Sequence, residues 1–257
     1  SGVHILSIFA LAASACAAAP RPAQSATAAV TCAGSTIRSA EQAATYSQCT
    51  AVTGDLRITG TPLADLTAFR SILRISGTLE ISGNSQLDDL DGLESLSSVG
   101  DLDISNNPEL DALQDLEDLH SVRKLTIRDN PELSSLDGLQ GVQQAEQVQL
   151  ERNGLFDVNG LSGLERVGDL SVVGHRKLIS LRGLSNLTAA HSVRIQNNPV
   201  VCACFGLLPA LHSVQNIVVR SNQGLKGSEV RELVARAELP FQKRDNTAAF
   251  AGYSAQR

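Results

Sequence analysis

The chain has 257 residues and a net charge of −6; 42% of its residues are hydrophobic, yet only 3% are aromatic and none is Trp. Any core must therefore be filled by Leu, Ile, Val and Ala. With no basic run, composition argues against binding nucleic acid or anionic lipid through phosphate contacts.

The N-terminus reads as an export signal over residues 1–16. Ile5 to Ala15 is apolar, too short to span a bilayer, and ends in the small residues Ala13-Ser14-Ala15 before Cys16. The chain starts without Met and without a basic stretch, so the signal reads as truncated upstream. Leu-Ala-Ala-Ser-Ala-Cys also resembles a bacterial lipobox, which would make Cys16 the site of lipidation. The same bond suits an ordinary signal peptidase. Residues 17–30, rich in Ala, Pro, Ser and Thr, read as a flexible tether.

Without Cys16, four cysteines remain, an even number suited to an oxidising compartment. Cys32 and Cys49 flank the segment before the first repeat, where a disulfide would pin an N-terminal cap. Cys202 and Cys204 are separated by one residue; they form a strained bridge or two free thiols. No metal site is expected, because no second Cys or His pair has suitable spacing.

From about Val52 to Leu225 one pattern recurs. Its first apolar position falls at Leu56, Leu79, Leu102, Leu125, Val148, Leu170, Val193 and Ile217, with steps of 23, 23, 23, 23, 22, 23 and 24. Two residues later stand Ile58, Ile81, Ile104, Ile127, Leu150, Val172, Ile195 and Val219. A fixed period of this length marks a solenoid, in which no unit can bury its apolar face alone. The alternation predicts a strand with both apolar residues inward. Identical strands then stack into a parallel sheet, and the rest of each coil supplies the return connection.

Three residues after the second apolar position comes the column Thr61, Asn84, Asn107, Asn130, Asn153, His175, Asn198 and Asn222. An amide both donates and accepts, so these side chains are expected to form an inward ladder. Asn130→Ala should cost roughly 1–3 kcal/mol by stranding buried partners. Beyond the column, apolar residues recur every three, as at Leu110, Leu113, Leu116 and Leu119, or Leu133, Leu136, Leu139 and Val142. That period fits tight turns and extended or 3₁₀ pieces. Ser228 to Ala237 reads as a capping helix with Ser228 as its N-cap and Val230, Leu233, Val234 and Ala237 on one face. Residues 240–257 are polar and small and read as a disordered tail.

These residues resemble the receptor L-domain family, the leucine-rich β-solenoid of insulin-type and epidermal-growth-factor-type receptors. The resemblance rests on Cys32-Ala33-Gly34, Cys49-Thr50, Gly54-Asp55-Leu56-Arg57-Ile58 and its copies, and Asn-Pro-Glu-Leu at Asn107 and again at Asn130. It implies a mainly β fold: a right-handed parallel β-solenoid of about eight 23-residue coils over residues 31–239, with a Cys cap and a C-terminal helix cap. Eight coils exceed such a receptor domain, and the combination looks more like bacterial exported proteins carrying the repeat. A leucine-rich-repeat horseshoe, whose L-x-x-L-x-L-x-x-N-x-L differs by one residue after Asn, is the other fold the pattern admits.

No nucleophile elbow, phosphate loop, zinc-protease or dinucleotide motif is present, so no enzyme activity, cofactor or catalytic residue is expected. Asp88, Asp89 and Asp91 cluster before Gly92 without the rest of a calcium loop and read as solvated. The outward sheet positions are Arg57, Glu80, Asp103, Thr126, Gln149, Ser171, Arg194 and Val218, and then Thr59, Ser82, Ser105, Arg128, Glu151, Val173, Gln196 and Arg220. Arg57 should neighbour Glu80, Arg128 should neighbour Glu151, and Asp101 should neighbour Lys124, each pair aiding register by about 0.2–1 kcal/mol. The expectation is a monomeric, exported protein, a cell-envelope or outer-membrane lipoprotein or a secreted form, that binds a protein or glycan. The candidate face is Arg57, Glu80, Asp103, Arg128, Gln149, Glu151, Arg194 and Arg220. A structural envelope protein and a polysaccharide-cleaving solenoid are the alternatives.

Overall fold

A computed structural model describes residues 29–202 and 207–236. The export signal with Cys16, most of the tether, Cys204 and the 240–257 tail lie outside the described residues.

The described chain is a parallel β-solenoid. Short strands β1 (Thr31–Ala33) and β2 (Thr36–Ile37) precede helix α1 (Ala40–Ala44). Strands β3 (Ala51–Thr53) and β4 (Leu56–Thr59) form the next coil, stacked in parallel on β1 and β2. Longer strands follow, one per coil: β5 (Arg74–Ser82), β6 (Ser98–Ser105), β7 (Ser121–Arg128), β8 (Gln144–Glu151), β9 (Arg166–Val173), β10 (Ala189–Gln196) and β11 (Ser213–Arg220). Helix α2 (Gly227–Arg236) closes the end. The sheet runs β1-β3-β5-β6-β7-β8-β9-β10-β11, with β2 and β4 forming a second path that also joins at β5.

The repeat columns are in register. Leu56 pairs with Leu79, Leu79 with Leu102, Leu102 with Leu125, Leu125 with Val148, and so on through Leu170 and Val193 to Ile217. All eight are buried. A fully buried Leu or Ile contributes about 1.5–3 kcal/mol, and stacking supplies that burial because each coil forms one wall of its neighbour's core.

The long strands start about four residues before the expected L-x-I segment, and this reshapes the outer surface. In β6 both Val99 and Leu102 are buried. A straight strand returns to the same face every second residue, so a spacing of three requires a bend at Gly100-Asp101. The pairing of β5 with β6 shifts at the equivalent place, between Ile75 and Thr78. Each long strand thus has two limbs. The first is built on Val52, Ile75, Val99, Val122, Val167, Ala190 and Val214, the second on the L-x-I pair.

The return connections carry 3₁₀ turns at Thr67–Phe69, Gln114–Leu116, Asn159–Leu161 and Arg182–Leu184. They bury the apolar residues spaced by three, including Leu110, Leu113, Leu116 and Leu119. These short 3₁₀ returns, in place of α-helices, distinguish the described solenoid from a helix-backed horseshoe.

The Asn column forms a ladder of hydrogen bonds between coils. Asn130 Oδ1 accepts from Asn107 N–H at 2.9 Å and from Asn107 Nδ2 at 3.3 Å. Asn130 Nδ2 donates to the Ile104 carbonyl at 3.0 Å. Asn84 and Asn107 repeat the arrangement, and Asn84 also receives the Thr61 N–H and hydroxyl at 2.9 and 2.8 Å. Toward the C-terminus, Asn198 accepts from His175 N–H at 2.9 Å and Asn222 from Asn198 N–H at 3.0 Å.

The two ends are capped. Cys32 and Cys49 form a disulfide with Cα atoms 5.8 Å apart, and Ser39 caps α1 by accepting from Gln42 N–H. Cys202 is also disulfide-bonded. At the far end, Ser228 is not the N-cap. The helix begins at Gly227, and Glu229 reaches back to the Lys226 N–H at 2.8 Å, the acidic half of a capping box. Val230 and Leu233 are its buried residues.

Candidate functional site

The second limb carries the expected outward residues as two clusters and a separate pair of cations. Arg57 meets Glu80 at 3.3 Å and its own neighbour Asp55 at 2.6 Å. Glu80 also accepts from the Ser82 hydroxyl at 2.9 Å. Farther along, Arg128 lies 3.8 Å from Asp103, and Gln149 donates to Glu151 at 2.8 Å. Arg194 and Arg220 are exposed, with no carboxylate within ion-pair distance among the described residues.

Two expected pairings change partner. Arg128 does sit opposite Glu151 in the ladder, but its guanidinium turns to Asp103, while Glu151 is engaged by Gln149 and by Arg152 at 3.3 Å. Asp101 sits opposite Lys124 yet pairs with Arg123 at 2.6 Å. In both cases an Arg at a bend or corner reaches sideways along the sheet, which register alone does not reveal.

The first limb holds a feature the repeat alignment missed. Its outward column runs Ser76, Gly100, Arg123, Glu146, Gly168, His191 and Gln215. At Gly168 the backbone lies so close to the Glu146 carbonyl that any Cβ would collide with it. A shallow hollow of about 530 Å³ lies here on the sheet surface, rimmed by Arg123, Glu146, Arg166, His191 and Gln215. Arg123 bridges Asp101 and Glu146, at 2.6 and 3.6 Å, so one rim is a three-member charge network. The sequence signal was the column of mostly β-branched residues before each L-x-I segment, which marks a second inward row and hence a second outward one.

The corners where strands end form another surface. One residue before each ladder position the chain turns through positive φ, at Asn106 (56°), Asp129 (58°), Arg152 (51°), Asn197 (55°), Ser221 (56°) and at glycines 60, 83 and 174. Asn, Asp and Gly tolerate this region; a long side chain such as Arg is uncommon there. Arg152 is held by a two-point bond to Asp129, at 2.6 and 2.8 Å. That bond keeps the Asp129 carboxyl below the usual range.

Next to this corner the ladder changes. His175 is fully buried and takes the place of Asn. Its Nδ1 lies 3.3 Å from both the N–H and the carbonyl of Asn153, and the ring's other nitrogen is Nε2. That nitrogen has no partner among the described residues. Burial pushes the imidazole below its ordinary value, against the opposing pull of the Leu150 and Asn153 backbone and the Glu151 charge.

On the return side, one carboxylate oxygen from each of Asp89, Asp91 and Asp115 lies within 4.8 Å of the others. Asp91 is pushed up chiefly by the Asp89 charge, and Asp115 chiefly by burial. Three carboxylates are oxygen donors of the kind a hard cation takes. Asp115, not Asp88, is the third member, and it arrives from the next coil, where its Oδ2 accepts the Leu90 N–H at 3.3 Å. No arrangement of acid and base around a reacting centre accompanies the hollow, the corner or this cluster.

Residues 48–143 match the family model of the receptor L domain. Domains of this family are typically binding domains and generally non-catalytic. No curated protein matches the chain. Among the described residues no helix is long and apolar enough to cross a membrane, and the Cys32–Cys49 disulfide suits an extracytoplasmic, oxidising setting.

Proposed function

We propose that this protein is an exported, non-enzymatic binding module, anchored by lipid at Cys16, that holds a protein or glycan partner on the outer surface of its sheet. The observation that carries the reading is that surface. Seven long strands, in register along their second limbs, present polar columns on two limbs, and a shallow hollow beside Gly168 offers a place where a partner group can rest. Extended repeat surfaces act in this way by offering many weakly specific contacts over one rigid body. The charged rim around Gly168 supplies what the flat second limb lacks, a concave place to fix orientation.

A photo-crosslinking residue at Gln144, beside the hollow, tests this on intact cells. One dominant adduct, lost in Glu146→Lys/Arg166→Glu and kept in Arg128→Glu/Glu151→Lys, places the partner on the first limb. The converse pattern moves it to the second limb. Absence of any specific adduct supports a structural envelope body instead. The anchor is tested separately: Cys16→Ser should release the protein from the membrane fraction, and unchanged fractionation overturns the lipid assignment.

A further inference from the structure

The 22-residue step in the repeat has a physical consequence at the corner. In neighbouring coils the next buried Leu follows the ladder position by three places, Asn130 to Leu133 and His175 to Leu178. In the intervening coil it follows by only two, Asn153 to Leu155. The shortened turn is drawn inward until Gly154 touches the Pro131 carbonyl, where a Cβ would collide. The residue that would fill the row between Glu132 and Lys177 is missing. A groove of about 900 Å³ opens in its place and continues past Asn197 to Gln223.

Its walls are charged in an uneven way. Arg152 is committed to Asp129 and Glu151. Arg176 and Lys177 are exposed, and no carboxylate lies within ion-pair distance of either among the described residues. Arg176 stands in a column that holds Pro at positions 62, 108, 131 and 199, so a cation replaces a neutral ring at this coil alone. The Lys177 ammonium rests over the half-exposed Phe156 ring, 5.7 Å from its centroid, which orients it without neutralising it. Glu132 is the single acid in the lining.

We infer that this groove is a second binding site, distinct from the sheet surface, for a strand of acidic polysaccharide whose anionic groups sit on Arg176 and Lys177. The cations call for an anion on a protein that is acidic overall. Concavity disfavours a flat bilayer. Apart from Pro131 and Pro199, the groove is lined by charged and amide side chains, Ser and Gly, with no aromatic or branched aliphatic side chain. It therefore offers no aromatic or aliphatic cluster to hold the large apolar anchors that give peptides their affinity, whereas its amides, Ser and cations suit a hydroxyl-rich anionic chain.

The test is affinity electrophoresis of the full chain through gels containing polygalacturonate, heparin or neutral dextran. Retardation by polygalacturonate, heparin or both, fading with added salt and absent in dextran, is expected; which of the two acts separates carboxylate from sulfate recognition. Arg176→Glu/Lys177→Glu should weaken it at least ten-fold. Glu132→Gln should strengthen it about two-fold. The same charge change at Arg70 and Arg74, far along the solenoid, should change it less than two-fold. All four positions are exposed, and unchanged melting temperatures verify folding. No retardation by either anionic polymer overturns the site. So does equal loss in the Arg70/Arg74 variant, which would show net charge alone at work. Selective capture of a Glu-rich peptide or of anionic phospholipid vesicles, lost in Arg176→Glu/Lys177→Glu while the polysaccharides stay unbound, overturns the glycan assignment.

Discussion

The coils carrying Asn84, Asn107 and Asn130 and the coil carrying His175 meet the same demand in different ways. Each must satisfy buried backbone groups at the corner where a strand ends. An amide does so with one acceptor oxygen serving the preceding coil and one donor nitrogen serving a carbonyl in it. The imidazole meets only the Asn153 backbone, at 3.3 Å through Nδ1, and leaves its second nitrogen buried without a partner among the described residues. The regular region is therefore saturated and the irregular one is not. The irregularity begins with a single deleted residue, at Gly154, and spreads one coil onward.

The largest effect should come from testing that contrast directly. Asn130→Ala removes four hydrogen bonds in a fully buried setting and should cost about 3 kcal/mol, since each stranded buried group costs about 1–3 kcal/mol. His175→Ala removes a ring whose Nε2 already lacks a partner, and its cost should fall short by about 1 kcal/mol or more. Denaturant midpoints of the two variants, measured side by side, decide it. Equal losses would mean that His175 supports the ladder as well as Asn does.

The same contrast predicts a dependence on pH. His175 is held neutral when folded, because burial lowers its pKa. The unfolded chain takes up a proton below about pH 6.5 and the folded chain resists it. The stability owed to the neutral ring is thus complete above about pH 6.5 and is lost as pH falls through that value, at no more than about 1.4 kcal/mol per pH unit. Glu151 faces the ring and moderates the loss. His175→Asn should flatten the melting-temperature profile between pH 7 and pH 5. An unchanged slope would assign it to carboxylates instead.

Much of this was legible in the chain. The columns at Leu56 and Ile58 and their copies fix strand register because a slip of one residue would turn every Leu outward. Asn84 to Asn222 announce the ladder by spacing alone. The bend at Gly100-Asp101 was hidden because alternation is interrupted there, and a period-two pattern finds only the limb beyond the bend. The partner choices of Arg123 and Arg152 were hidden for a different reason: a long side chain at a corner can reach either neighbouring strand, and its sequence position does not say which. The groove was visible only as a 22 among 23s, a number that acquires meaning once the corner is seen to collapse onto Pro131.

The smallest effect concerns Arg152, where two contributions oppose. The pair with Asp129 is half exposed, and such pairs contribute about 0–1 kcal/mol. Against it stands a φ of 51°, which costs a long side chain of order 1 kcal/mol. Arg152→Gly loses the pair but relaxes the backbone, as Gly60, Gly83 and Gly174 do in the same column, so its stability should lie within about 0.5 kcal/mol of the parent. Arg152→Ala loses the pair and keeps the strain, and should be less stable than Arg152→Gly by about 1 kcal/mol. If Ala and Gly prove equal, the backbone term is negligible and the ion pair alone explains the residue. If Gly is clearly more stable than the parent, Arg152 is kept at a cost in stability, as expected of a side chain that frames a binding groove.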